Sequence, residues 1–288
     1  MQLGPSELIL NADNSIYHLN ISPEDIANTI ITVGDPDRVA AVSKYFDRVE
    51  LKKGKREFIT HTGYLNGKRL TVISTGIGTD NIDIVLNELD ALVNIDFTSR
   101  TIKQEKTSLD IIRIGTSGAI QAKIPIDSFL LSEKAIGFDS LLQFYDSKHI
   151  QDADLQKAFV KHTNWSRDKS EPYVVSCDAG LAKQLMSDKI KLGFTATNVG
   201  FYGPQGRTLR LKPQDEALND KLASFEDKGL KITNLEMETS GMYGLSKLLG
   251  HHAVSLNAIL ANRNTGEFST TPSKTIDALI QYTLTKLT

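Results

Sequence analysis

A short run of β-branched and aliphatic residues that ends in a glycine-bearing turn recurs along the chain, and no other feature of the sequence restricts the fold as much. Ile30-Ile31-Thr32-Val33 leads into Gly34-Asp35-Pro36-Asp37-Arg38, after which Val39, Val42 and Phe46 keep helical spacing. Leu70-Thr71-Val72-Ile73 leads into Ser74-Thr75-Gly76-Ile77-Gly78, and Ile82, Val85, Leu86 and Leu89 then mark a helix face. Asp110-Ile111-Ile112-Arg113-Ile114 leads into Gly115-Thr116-Ser117-Gly118, read as a third turn. Strand, glycine turn and amphipathic helix in succession is the rhythm of α/β folds. Further strands are expected at Phe129–Ser132, Tyr173–Ser176, Phe194–Val199, Leu230–Thr233 and Ala253–Leu260. Helices are expected at Ala179–Ser187, Asp215–Phe225, Glu238–Leu249 and from Pro272 to the C-terminus. With no repeat, low-complexity tract or long linker, one domain over 1–288 is the simplest reading. Asn94–Ser108 breaks the rhythm: it carries Arg100, Lys103, Glu105 and Lys106 where a few residues would join helix to strand, and it reads as a surface insertion, mobile or used in subunit contact.

Composition removes several classes of function. The 288 residues include 33 basic and 35 acidic side chains, for a formal net charge of −2. Near-neutrality argues against a nucleic-acid partner bound through a broad phosphate-reading face, so any anion must be held locally by a few placed arginines. No stretch approaches the ~20 apolar residues that span a bilayer, and the N-terminus lacks a basic segment followed by an apolar one. A cytoplasmic protein without a membrane partner is expected. The single cysteine, Cys177, rules out an intramolecular disulfide and a cysteine-rich metal cluster.

Open α/β sheets bind ligands beyond the carboxyl ends of their strands, where glycine turns let backbone amides face an anion. Arg38 follows Gly34 closely, and Arg113 lies inside an apolar strand just before Gly115-Thr116. A guanidinium in that setting must be paired. Its partner is either a structural carboxylate such as Asp35 or Glu57, or a bound anion, and the neighbouring Gly-Thr-Ser-Gly step favours the anion. Gly76–Gly78 alone lacks the dinucleotide fingerprint.

Four segments occurring in order, Gly34-Asp35-Pro36-Asp37-Arg38-Val39, Ser74-Thr75-Gly76-Ile77-Gly78, Arg113-Ile114-Gly115-Thr116-Ser117-Gly118-Ala119-Ile120 and Leu235-Glu236-Met237-Glu238-Thr239, closely resemble the nucleoside phosphorylase family, whose members include uridine phosphorylase and the hexameric purine nucleoside phosphorylases. The likeness runs from Tyr17-His18-Leu19 to about Arg263 and leaves out the Asn94–Ser108 insertion. It implies a single-domain, three-layer α/β/α fold around a central mixed sheet. Phosphate, the co-substrate, would lie against the Gly34 turn, Arg38, Arg113 and the Thr116 hydroxyl, with Arg56 supplied by a neighbouring subunit. Several forked donors suit a dianion that must be held in line with the anomeric carbon. The resemblance gives Glu238 the ribose hydroxyls and Met237 the face of the sugar. Apart from it, Glu238 reads equally as an acidic residue at a helix start. His18 would reach the 5′-hydroxyl in a neighbour's site, so a homo-oligomer is implied, with a dimer as minimal unit and the hexamer as the family's usual assembly. No metal or organic cofactor is expected to do the chemistry. The resemblance also implies a potassium site near Glu57, Ile77 and Asn81; Asn81 stands where some relatives have a serine, and its amide oxygen can serve in the serine's place.

Phe201-Tyr202-Gly203-Pro204-Gln205-Gly206-Arg207 resembles the base-binding loop of the uridine enzymes. Gln205 has the donor and acceptor to read a uracil N3–H and carbonyl, Arg207 can donate to a carbonyl, and Phe201 can stack on the base or pack on the sugar. Glycine and proline alone would justify no more than a turn. Ser117 stands where the uridine enzymes often carry a second threonine. Purine-specific relatives use an aspartate in a Ser-Asp step late in the chain, where this sequence has Ala261-Asn262-Arg263, and Arg263 matches an arginine of the uridine enzymes. The expected reaction is phosphorolysis of uridine, and of deoxyuridine if the 2′-hydroxyl is not demanded, with Glu238, Arg207 and Arg263 as catalytic groups. A purine nucleoside phosphorylase, a nucleosidase using water and a catalytically silent nucleoside-binding protein stand as alternatives.

Overall fold

A computed structural model describes residues 2–288. In chain order its elements are β1 (Thr29–Val33), α1 (Pro36–Ser43), β2 (Arg48–Lys55), β3 (Phe58–Leu65), β4 (Lys68–Ser74), α2 (Thr79–Asn94), β5 (Ile95–Asp96), β6 (Thr101–Ile102), β7 (Asp110–Ala119), β8 (Phe129–Gly137), α3 (Ala153–Thr163), β9 (Tyr173–Ser176), α4 (Ala179–Leu185), β10 (Ile190–Thr197), α5 (Leu218–Ser224), β11 (Glu226–Asp227), β12 (Leu230–Glu236), α6 (Thr239–Leu249), β13 (His252–Asn262), β14 (Glu267–Phe268) and α7 (Pro272–Leu287).

All five residues of β1 are buried, as a strand covered on both faces requires. Ile30 joins one apolar cluster with Ile82, Val85 and Leu89 of α2 and Met242 and Leu245 of α6. Ile31 and Val33 point the other way, into a cluster with Val39 and Val42 of α1, Leu181 and Leu185 of α4 and Leu279 and Leu284 of α7. Strand alternation thus sorts neighbouring residues between two helical layers, and the fold is α/β/α. A third cluster packs Phe159 of α3 and Leu222 of α5 against Phe194 and Ile232.

The main sheet is mixed and runs β11-β12-β10-β8-β13-β7-β1-β4-β3-β2, with β9 on β8 and β14 on β13. Strand β1 is parallel to both β4 and β7. Strands β2, β3 and β4 form an antiparallel meander. Its edge, β2, alternates exposed and half-buried residues and carries Arg48, Lys52, Lys53 and Lys55, charges that discourage edge-to-edge pairing. An extra pairing of β12 with β7, at Asn234 with Ala119 and Leu235 with Gly118, closes β7-β13-β8-β10-β12 on itself. The sheet is therefore not simply open, and the closure brings the end of β12 beside β7.

Two expectations change. Gly115-Thr116-Ser117-Gly118 is not a turn, because β7 continues to Ala119. Gly115 is required inside the strand because a Cβ there would collide with the Arg113 guanidinium. The strand expected at Phe194–Val199 runs instead over Ile190–Thr197, and Val199 is exposed beyond it. The Asn94–Ser108 segment contains the short antiparallel β5–β6 pair. Its Arg100 donates to the carbonyls of Leu3 (3.0 Å), Gly4 (2.8 Å) and Leu8, while the Leu3 N–H donates to the Arg100 carbonyl at 2.8 Å.

Candidate active site

Arg113 and Glu238, 125 positions apart in sequence, form a buried ion pair at 5% exposure each. Neither Asp35 nor Glu57 partners the arginine. Its Nη2 also lies 3.3 Å from Glu236 Oε2, and its Nη1 donates to Ser255 Oγ at 3.3 Å and to Asn257 Oδ1 at 3.2 Å. Burial opposes charge on this guanidinium, but the two glutamates outweigh it and raise its pKa. Burial pushes the Glu238 carboxyl up, Arg113 pulls it down and Glu236 pushes it up again, with a net rise.

Glu238 occupies the position before α6 yet does not cap it. The cap is Glu236, whose Oε2 accepts from the N–H groups of Glu238 and Thr239 at 2.9 Å each and from the Thr239 hydroxyl at 2.8 Å. Acidic groups at a helix start are favoured by the free N–H donors there. Glu236 Oε1 accepts from the Thr197 hydroxyl at 2.6 Å, which locks the cap to β10. With capping done by its neighbour, Glu238 is free to face Arg113 through Oε2 and the Gly78 N–H through Oε1, at 2.9 Å. Gly78, at φ 99°, and Gly76, at φ 70°, make the tight turn that aims this N–H.

Arg38 extends from α1, whose start is capped by the Asp35 carboxylate accepting from the Asp37 N–H at 2.9 Å. Among the described residues its one side-chain hydrogen bond is long, from Nη1 to the Ile114 carbonyl at 3.4 Å, so most of its guanidinium donors are unused. Burial and the neighbouring charge of Arg113 lower its pKa, against the pull of Asp35 and Glu238. Two guanidiniums side by side, one with idle donors, form a setting that an anion would stabilise. Thr116 is half-buried on β7, two residues beyond Ile114, and its hydroxyl makes no hydrogen bond among the described residues. The Ser117 hydroxyl accepts from Asn234 at 2.9 Å.

A second cluster gathers at Gln205. Its Oε1 accepts from Arg207 Nη1 at 2.7 Å and from Arg263 Nη2 at 3.3 Å, and its backbone carbonyl accepts from Arg263 Nη1. The Arg207 guanidinium lies 3.7 Å from the centre of the Phe201 ring, a cation–π contact. Burial and the charge of Arg207 push Arg263 down to about 10. The Arg263 N–H donates to the Ala119 carbonyl at 2.9 Å, so this cluster sits at the far end of the strand that carries Arg113. Met237 is half-buried between the two glutamates.

His18 and Arg56 have no hydrogen bond or ion pair to either cluster within the chain. His18 Nδ1 lies 2.6 Å from Glu88 Oε1. Arg56 is exposed on the β2–β3 turn at φ 56°. Near Gly76, Asn81 Nδ2 donates to Glu57 Oε1 at 3.3 Å, and a Cβ on Gly76 would run into both side chains. The same amide, rotated, presents its oxygen beside the Glu57 carboxylate, so the residues keep two oxygen donors for a monovalent cation.

The sequence matches the family model described as the Phosphorylase superfamily over residues 28–282. The chain belongs to that superfamily. It is similar to the uridine phosphorylase of Thermococcus kodakarensis, 28% identical over 261 residues, which cover 88% of this chain and 79% of the relative. It is 26% identical over 256 residues to a DeoD-type purine nucleoside phosphorylase of Hahella chejuensis, covering 87% of this chain and 88% of that one. The crystal structure of a Trypanosoma brucei nucleoside phosphorylase, described as showing uridine phosphorylase activity, matches with a TM-score of 0.88 at 28% identity, covering 97% of this chain and 99% of that one.

Sequence reasoning passed over Glu236 as a cap and missed Ser255 and Asn257 as supports of Arg113 and Asn234 as a partner of Ser117. Asn257 carried a usable signal, since it interrupts an apolar strand as Arg113 does.

Proposed function

We propose that the chain is a uridine phosphorylase, converting uridine and phosphate to uracil and ribose 1-phosphate, with deoxyuridine as a second substrate. The observation that carries this is the Gln205 carboxamide held between Arg207 and Arg263 at one end of β7, with the Arg38–Arg113 pair further along the same strand.

In this reading phosphate meets the idle donors of Arg38, with Arg113, Thr116 and the Gly34 backbone. Each Glu238 oxygen keeps a lone pair beyond its present bond and accepts from a ribose hydroxyl, while Met237 packs on the sugar. The C1′–N1 bond breaks with its electron pair passing to the base, and a phosphate oxygen bonds C1′. Charge builds positively on the ribosyl centre, faced by Glu238 and phosphate. It builds negatively over the uracil carbonyls, faced by Arg207 and Arg263. Phe201 stacks on the base or lies along the sugar.

The purine alternative needs a side chain near Asn262 free to donate to the leaving base. Asn262 is consumed elsewhere: its Nδ2 donates to the carbonyls of Gln121 (3.0 Å) and Ile124 (2.8 Å), and its Oδ1 accepts from the Asn264 N–H at 2.9 Å. We further propose a cytoplasmic homo-oligomer, at least a dimer and by family habit a hexamer, in which the exposed Arg56 completes a neighbour's phosphate pocket. The segment 94–108 is an insertion into one phosphorylase domain.

Base release from uridine, deoxyuridine, thymidine and inosine, each with and without phosphate, tests the proposal. Phosphate-dependent uracil release is expected. Inosine cleavage with uridine inert would favour the purine reading, phosphate-independent release a nucleosidase, and saturable binding without turnover a silent binding protein.

A further inference from the structure

We infer that Glu88 is a positioning residue, which sets the His18 ring for the nucleoside that His18 meets; this rests on the reading of His18 as a ribose contact in a neighbouring subunit. One carboxylate on α2 accepts from two consecutive backbone groups and a ring. The His18 N–H lies 3.1 Å from each Glu88 oxygen, the Leu19 N–H 2.8 Å from Oε2, and His18 Nδ1 2.6 Å from Oε1. Leu19 is fully buried, and Lys55 Nζ donates to the Tyr17 carbonyl at 2.6 Å, so the backbone on both sides of His18 is pinned. The Tyr17 ring stands edge-on to the imidazole at 4.8 Å between centroids.

An ionised carboxylate has no hydrogen to give, so the hydrogen in the short contact belongs to Nδ1. That fixes the tautomer and leaves Nε2 as the ring atom for a ligand. The pair is not sealed: the side chains are 25% and 13% exposed, and both line a cleft of about 650 Å³. A buried structural histidine would have both nitrogens engaged, whereas here one is engaged firmly and the other makes no hydrogen bond among the described residues. Among the described residues Glu88 makes no hydrogen bond or ion pair to the two arginine clusters, so the route from it to the reaction runs through His18.

The test compares the full-length enzyme, Glu88→Gln, His18→Ala and the double variant on uridine and on 5′-deoxyuridine, which lacks the hydroxyl His18 would meet. Glu88→Gln keeps the shape but cannot present the same two acceptors. It is expected to raise the KM for uridine about tenfold, the scale of one misplaced hydrogen bond, and to leave 5′-deoxyuridine within twofold. It should add nothing in the His18→Ala background. Equal losses on both substrates, an undiminished effect without His18, or unchanged uridine kinetics would each overturn the role of Glu88. If His18→Ala itself leaves uridine unaffected, the reading of His18 falls and the inference with it. If His18→Ala weakens uridine and Glu88→Gln does not, only the inference falls. Nitrogen NMR of the unmodified protein gives a readout independent of variant folding: protonated Nδ1 is expected, and a bare Nδ1 with protonated Nε2 contradicts the assignment.

Discussion

The Arg113 guanidinium occupies space that exists only because residue 115 has no side chain. Gly115→Ala therefore forces Arg113 off Glu238 or moves β7, and overpacking of this kind costs about 1–3 kcal/mol. A lowered melting temperature together with a phosphate KM raised at least tenfold is expected, and unchanged phosphate kinetics would show that Arg113 does not serve that co-substrate. His61 offers a test of the fold away from the site. Its Nδ1 lies 2.7 Å from the Ser43 hydroxyl, and burial, aided by Lys52, lowers its pKa. The folded state then binds fewer protons than the unfolded chain as pH falls through about 6.5, so stability declines on that side and is flat above it. Urea midpoints between pH 5 and 7.5 should show this decline, and His61→Gln should reduce it. At this scale the sequence exposed Arg113 as an arginine in an apolar strand. Its partners stayed hidden because Glu236, Glu238, Ser255 and Asn257 reach it only through the assembled sheet.

At the scale of elements, strand cores such as Ile30–Val33 and Tyr173–Ser176 were readable because buried strands write continuous β-branched runs. The β2–β3 hairpin was not assigned, since lysine and arginine along its exposed edge mask the alternation. Helix α3 was missed although Leu155 and Phe159 keep one-turn spacing. The end of β7 reads as a turn because Gly115, which makes room for Arg113, and Gly118 look like turn residues. The Asn94–Ser108 segment is tied to the N-terminal residues by Arg100, which donates to three backbone carbonyls. Arg100→Ala removes these charge-assisted bonds, and about 1–3 kcal/mol of local stability is expected to go with them. Hydrogen exchange should quicken across residues 2–10 while β7 stays protected. Equal exchange in both proteins would mean that other contacts hold the segment.

Across the whole molecule, the closure of β12 onto β7 sets Glu238 opposite Arg113, and the sequence held no local sign of it. The family resemblance named candidate site residues that periodicity could not. It also implies shared sites, which mixed oligomers can test. Subunits carrying Arg56→Ala and subunits carrying Glu238→Ala, each nearly inactive alone, should regain up to about a quarter of normal activity when co-assembled at random as dimers, because about half of the dimers are mixed and in each of these both defects fall on one pocket and leave the other intact. No recovery in verified mixed oligomers would contradict donation across the interface. Phosphorus NMR of the protein incubated with uridine and inorganic phosphate observes the transfer of a ribosyl group from uracil to phosphate directly. A ribose 1-phosphate signal growing in step with free uracil is the predicted result; uracil accompanied by free ribose, or uridine left intact, would contradict it.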